Sequence, residues 1–222
     1  MPRAGSSFLS TITMRNLDDL RDRIYPIIDP VVDWLVEKRV HPNLITTSGF
    51  VLTVLAGFLY AFDHVRTAGF FVLIGGAHDI FDGRVARASG LQSKFGAFYD
   101  SVLDRISEVV IYIGLISLYN QYEMSLLNIG MIYMIILAMA GSLMISYTRA
   151  KAETLGLKCS VGLMQRAERV VLLGLGSIVF GLSSDGLVIS VIIIIFAVLT
   201  NMTAIRRILW VYREAAGIPL DG

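Results

Sequence analysis

Residues 78–104 read HDIFDGRVARASGLQSKFGAFYDSVLD, placing aspartates at 79, 82, 100 and 104 inside two segments that are otherwise apolar. The surroundings make those charges a problem. The chain of 222 residues is 55% hydrophobic with a mean hydropathy of +0.68, too apolar for an ordinary soluble domain. Uncharged runs at Leu44–Phe62, Met124–Thr148 and Gly186–Ile205 approach the roughly 20 residues with which a helix crosses the hydrocarbon layer. Thr67–Ser89, Lys94–Gln121 and Gly162–Ser184 are apolar stretches broken by a few charges. The expectation is an all-α integral membrane protein with six transmembrane helices.

Basic residues give that arrangement a direction. Arg15, Arg21, Arg23, Lys38 and Arg39 precede the first span, and Lys94, Arg149, Lys151, Lys158, Arg166, Arg169, Arg206, Arg207 and Arg213 fall on the same side. By the positive-inside rule this predicts a multi-pass protein of the cell membrane with both termini cytoplasmic. Residues 1–40 read as a cytoplasmic, juxtamembrane segment in which Asn16–Val40 is amphipathic: Leu17, Leu20, Ile24, Ile27, Ile28, Val31, Val32 and Leu35 oppose Asp18, Asp19, Arg21, Asp22 and Arg23. Residues 41–214 form the membrane domain and 215–222 a short tail. His41-Pro42 marks the start of the first helix, with Asn43, Thr46 or Thr47 available for capping. No cleavable signal peptide is expected, and Cys159, alone, excludes an internal disulfide. Membrane lipids are partners; no nucleic-acid partner is expected.

An ionisable group within a span is costly and is a functional candidate by default. Asp79 and Asp82 are three residues apart, and Asp100 and Asp104 four apart, so each pair shares a helix face. A turn near Gly90–Gln92 joins the two helices as an antiparallel hairpin. The four carboxylates can therefore converge, about 13 to 19 Å from the turn at the α-helical rise. Such a cluster needs protons or divalent cations, and oxygen-only ligands suit Mg²⁺, Mn²⁺ or Ca²⁺. Gly83, Ala86, Gly90, Gly96 and Ala97 permit close helix packing or leave room for a ligand, and Arg87 is placed to pair with a phosphate.

These residues fill every fixed position of D-x2-D-G-x2-A-R-x8-G-x3-D-x3-D, from Asp79 to Asp104. The chain thereby resembles the CDP-alcohol phosphatidyltransferase family, and Pro42, Asn43 and Thr46 match that family's PN-x2-T opening. The resemblance implies a CDP-linked lipid donor, CDP-diacylglycerol, whose β-phosphorus is attacked by an alcohol as CMP leaves. It implies that Asp79, Asp82 and Asp100 hold two divalent ions, Mg²⁺ or Mn²⁺. Asp104 would contribute at the same site and act as general base. Thr46, Gly83, Ala86 and Arg87 would bind the nucleotide, the site would open to the cytoplasm, and the protein would be a homodimer.

The acceptor is read elsewhere. Residues 146–171, SYTRAKAETLGLKCSVGLMQRAERVV, place Arg149, Lys151, Arg166 and Arg169 around one cytoplasmic turn, which Arg207 can join. Positive-inside topology alone would put cations there. Their helical spacing beside glutamates points instead to a fixed pocket for a soluble phosphorylated alcohol. The segment resembles YVKARAEG-x-GL-x-C-x-VG-x2-ERAER of prokaryotic phosphatidylinositol-phosphate synthases, with Arg149 and Lys151 exchanged in identity, Thr154 for a glycine and Gln165 for a glutamate. The acceptor implied is inositol 1-phosphate; glycerol 3-phosphate, as in phosphatidylglycerophosphate synthases, is the alternative. A transporter could also bury acids, but no proline lies between Asn43 and Ile218 to break the spans.

Overall fold

The computed structural model describes residue 26 and residues 28–122, 125–159, 161–162, 164–182 and 186–217. Among these residues the chain is all-helical. Helix α1 covers residues 28–37, and the part of the expected amphipathic segment before it lies, residue 26 apart, outside the described residues. The six helices that follow are α2 (Pro42–Ala61), α3 (Val65–Ala88), α4 (Lys94–Asn120), α5 (Leu126–Thr154), α6 (Arg166–Phe180) and α7 (Leu187–Ala215).

Local chemistry sets most of the boundaries. Pro42 opens α2 and the His41 side chain accepts a hydrogen bond from the Asn43 N–H. Ser93 and Ser125 cap α4 and α5 through the N–H groups of Gly96 and Asn128. Gln165 and Glu168 form a capping box at the start of α6, which therefore begins at Arg166 rather than at Gly162. Gly90 (φ +67°) supplies the left-handed residue that turns α3 into α4. The α5 and α7 helices run on to Thr154 and Ala215, past the ends of the apolar runs, because Arg149, Lys151, Arg206 and Arg213 are good helix formers.

Three helices, α2, α5 and α7, are long and apolar enough to cross a membrane. The α3 and α4 helices have the length but carry the aspartates, and α6, at 15 residues, is about 22 Å long. In the bundle α2 packs on α3 and α4, α3 on α6, and α5 on α7. The core runs through Tyr60, Val72, Leu115, Ile135, Ile193 and Phe196. At Gly57 and Gly114 the backbones of α2 and α4 meet: a Cβ on Gly114 would lie 2.2 Å from the Gly57 carbonyl oxygen. The α1 helix folds back onto this bundle, with Val32 buried against Ile45 and Val85 and Asp29 paired to Arg84 on α3.

Candidate active site

The turn at residues 89–93 places Asp79 and Asp82 of α3 opposite Asp100 and Asp104 of α4. One oxygen each from Asp79, Asp100 and Asp104 lie within 4.8 Å of one another. Asp82 stands slightly apart: it is buried and accepts a 2.6 Å hydrogen bond from the hydroxyl of Thr46 on α2. The hairpin thus gathers all four acids but divides them, three in a cluster and one tied to the neighbouring helix.

Three carboxylates at this spacing repel unless positive charge sits among them. Arg166, the first residue of α6, supplies some of it by pairing with Asp79 and, at 2.9 Å, with Oδ1 of Asp104. Arg105 approaches the other oxygen of Asp104 at 3.3 Å. Oδ1 of Asp100 is buried with no hydrogen-bond partner. An oxygen-only donor set with an unsatisfied buried carboxylate oxygen fits a hard divalent cation, which takes oxygen ligands and would satisfy that atom.

Beside the cluster a cleft of about 310 Å³ opens between the ends of α2, α3 and α4. Thr46, Asp82, Gly83, Ala86, Arg87 and Asp100 line it, so the four expected nucleotide-binding residues share one cavity with two of the aspartates. Its floor is polar at Thr46 and Asp82, and its mouth carries the exposed Arg87. A cavity in which polar groups converge and a cation stands at the rim suits a phosphorylated ligand of modest size. His78, next to Asp79, turns its Nδ1 to the Ile74 carbonyl at 2.8 Å.

The five cations expected to hold an acceptor phosphate are placed differently from one another. Arg166 reaches the carboxylates. Arg149 is exposed and paired to Glu153 one turn along α5, and Lys151 is exposed nearby. Arg207, buried on α7, donates to the carbonyls of Val161 and Ile145, both at 2.7 Å, and so fastens the α5–α6 connection. Arg169, also buried, donates to Glu108 on α4 and to the Met164 carbonyl.

The sequence reading did not assign Asn43, Gln92 and Ser93 to the cleft, although all three line it. A signal existed: Asn43 precedes Thr46 by one helical turn, and Ser93 is the cap that orients Gly96. Nor was the contact between Arg166 and the aspartates foreseen, because nothing in a sequence relates residues 79 and 166.

A model of the family described as CDP-alcohol phosphatidyltransferase matches residues 39–203. The chain is 34% identical over 198 residues to an archaetidylinositol phosphate synthase of Methanothermobacter thermautotrophicus, spanning 89% of this chain and 95% of that one. It is 30% identical over 164 residues to a phosphatidylinositol phosphate synthase of Mycobacteroides abscessus, 72% of each chain. Among solved structures, the phosphatidylinositol phosphate synthase of Mycobacterium tuberculosis with CDP-DAG bound superposes with a TM-score of 0.74 at 25% identity, over 84% of this chain and 94% of that one. The same enzyme in complex with manganese and citrate gives 0.74 and 25%, over 82% and 88%. With the aspartate hairpin, the cleft beside it and a family match spanning most of the sequence, this chain belongs to the CDP-alcohol phosphatidyltransferases and is an enzyme of that type.

Proposed function

We propose that the enzyme transfers a phosphatidyl group from CDP-diacylglycerol to inositol 1-phosphate, releasing CMP, in the biosynthesis of membrane phospholipid. One observation carries the reading: the carboxylates of Asp79, Asp100 and Asp104 meet between a nucleotide-sized cleft and the guanidinium of Arg166. That arrangement offers one place for a diphosphate and another for an anionic acceptor. The archaeal relative, an archaetidylinositol phosphate synthase, and the mycobacterial one, a phosphatidylinositol phosphate synthase, support an inositol phosphate as the acceptor, and the mycobacterial one supports the phosphatidyl donor.

Asp79, Asp82, Asp100 and Asp104 would hold two divalent ions, Mg²⁺ or Mn²⁺; the manganese in the mycobacterial relative supports this assignment. Bound there, such ions supply charge neutralisation and orientation of phosphate oxygens. The protein's own groups do the rest. Thr46 and the backbone at Gly83 and Ala86 seat the nucleotide, and Arg87 steadies its phosphates. Asp104 takes the proton of the acceptor hydroxyl, whose oxygen bonds to the β-phosphorus while the bond from that phosphorus to CMP breaks. Arg166, with Arg149 and Lys151 towards the rim, receives the acceptor phosphate; Arg207 and Arg169 complete the basic wall behind them.

Six membrane-crossing helices, an interfacial amphipathic segment ending in α1, cytoplasmic termini and a cytoplasmic-facing site belong to the same reading, as does a homodimer. The site then sits at the level where a lipid donor and a water-soluble acceptor can meet. The test is turnover by purified protein given CDP-diacylglycerol, Mg²⁺ or Mn²⁺, and one acceptor at a time. CMP release is expected with inositol 1-phosphate and is expected to stop on chelation. Release with glycerol 3-phosphate and none with inositol phosphate would overturn the acceptor assignment.

A further inference from the structure

Glu108 and Arg169 form a buried ion pair, 11% and 5% exposed, that the chemistry above does not use. Its position is ordered with respect to the site. Glu108 lies one turn beyond Asp104 on α4, and Arg169 one turn beyond Arg166 on α6. Two rungs therefore join the same two helices: Asp104 to Arg166 and Glu108 to Arg169. Between the helices remains a small space of about 30 Å³, bordered by Ser107, Glu108, Tyr112, Arg166 and Arg169 among others. Long side chains, rather than close backbone packing, bridge α4 and α6 there.

We infer that Glu108 and Arg169 are a positioning pair that fixes where α6 begins, and through it the reach of Arg166, and that Arg169 is not itself a ligand of the acceptor phosphate. The inference rests on the function proposed above for the identity of that acceptor. Three observations carry it. Nε and Nη2 of Arg169 each approach Oε1 of Glu108 at 2.7 Å, and Nη1 donates at 2.9 Å to the carbonyl of Met164. All three nitrogens of the guanidinium are engaged and the side chain is 5% exposed, so a phosphate could bind it only by entering the buried space beside the Glu108 carboxylate. Met164 belongs to the connection leading into α6, so the same side chain ties that approach to α4. From the other side the capping box holds the first turn, where the Gln165 N–H donates to Oε2 of Glu168 at 2.7 Å. Arg166 is the first helical residue between these two clamps, and its side chain, 23% exposed, is the one presented to the aspartates.

The two roles for Arg169 predict opposite consequences for its partner. If Arg169 binds phosphate, Glu108 competes with the acceptor, and Glu108→Gln should leave acceptor binding unchanged or tighten it. If the pair positions Arg166, removing either partner leaves a buried group unpaired and loosens the start of α6. Loss of either is then expected to act mainly on the acceptor, because neither Glu108 nor Arg169 lines the cleft.

The experiment uses the full-length enzyme in detergent or nanodiscs. It measures acceptor KM and kcat, and the Kd of CMP with Mn²⁺, for Glu108→Gln, Arg169→Gln and the double variant. Each single variant is expected to raise the acceptor KM about tenfold, the double variant no more than either alone, with CMP affinity unchanged. A raised KM in Arg169→Gln beside an unchanged or lowered one in Glu108→Gln overturns the inference and makes Arg169 a ligand. Singles that leave both KM and kcat at the wild-type value also overturn it. Should the glutamine variants lose CMP binding through misfolding, Glu108→Asp decides: a raised acceptor KM with CMP binding intact supports the pair, and an unchanged KM refutes it. Failure of the wild-type enzyme to turn over any inositol phosphate counts against the proposed function instead.

Discussion

The carboxylates of the site come from two helices joined by the short turn at 89–93, whereas the cations proposed to hold the acceptor come from α5, α6 and α7. The carboxylate half is local: twenty-six consecutive residues, 79–104, carry the acids, the glycines and Arg87. The cationic half is assembled from distant segments, and two of its members, Arg169 and Arg207, spend their donors on the protein's own oxygens. Under the proposed function the contrast separates a donor half from an acceptor half. A donor site built into one hairpin has little freedom to change. An acceptor site held by side chains from three helix ends can be altered one residue at a time.

Three substitutions probe that division, in order of expected effect. Asp104→Asn removes the proposed base while keeping the shape of the carboxylate half. Turnover is expected to fall by about 10³-fold with CMP binding retained, as read by CMP release against calorimetric titration with CMP and Mn²⁺. Retained turnover would mean that another group takes the proton. Arg166→Gln withdraws the α6 cation that pairs with Asp79 and Asp104; the acceptor KM is expected to rise by about 30-fold while CMP affinity stays within about twofold. An equal loss of CMP affinity would show that the halves are not separable at this residue. Thr46→Val, which deletes the 2.6 Å hydrogen bond to Asp82, is expected to weaken CMP binding about fivefold and to leave the acceptor KM alone.

The same contrast explains how much could be read from sequence. The hairpin was legible because spacing of three and four residues fixes a helix face, and the Gly90 turn fixes which faces meet. Even there the grouping was finer than spacing could show: Asp82 is drawn to Thr46, 36 residues earlier, and away from the other three. On the cationic side the sequence displayed the charges but not their partners. Glu108 and Arg169 are 61 residues apart, and only packing reveals that they satisfy each other. Apolar runs do not mark helix ends: those runs stop at Thr148 and Ile205, whereas α5 and α7 continue to Thr154 and Ala215.

The meeting of α2 and α4 at Gly57 and Gly114 acts as a depth gauge. A Cβ on Gly57 would already lie 2.6 Å from Cγ1 of Val110, so the notch has no slack on that side either. Sliding α4 by one turn in either direction would push Val110 or Leu118 into a space that accepts only a hydrogen atom. Ten residues, about 15 Å, separate this notch from Asp104, and Thr46 hangs from the other helix of the same lock. The relative level of Asp104 and Thr46, on two different helices, is thus set within the bundle by backbone contact about three turns away.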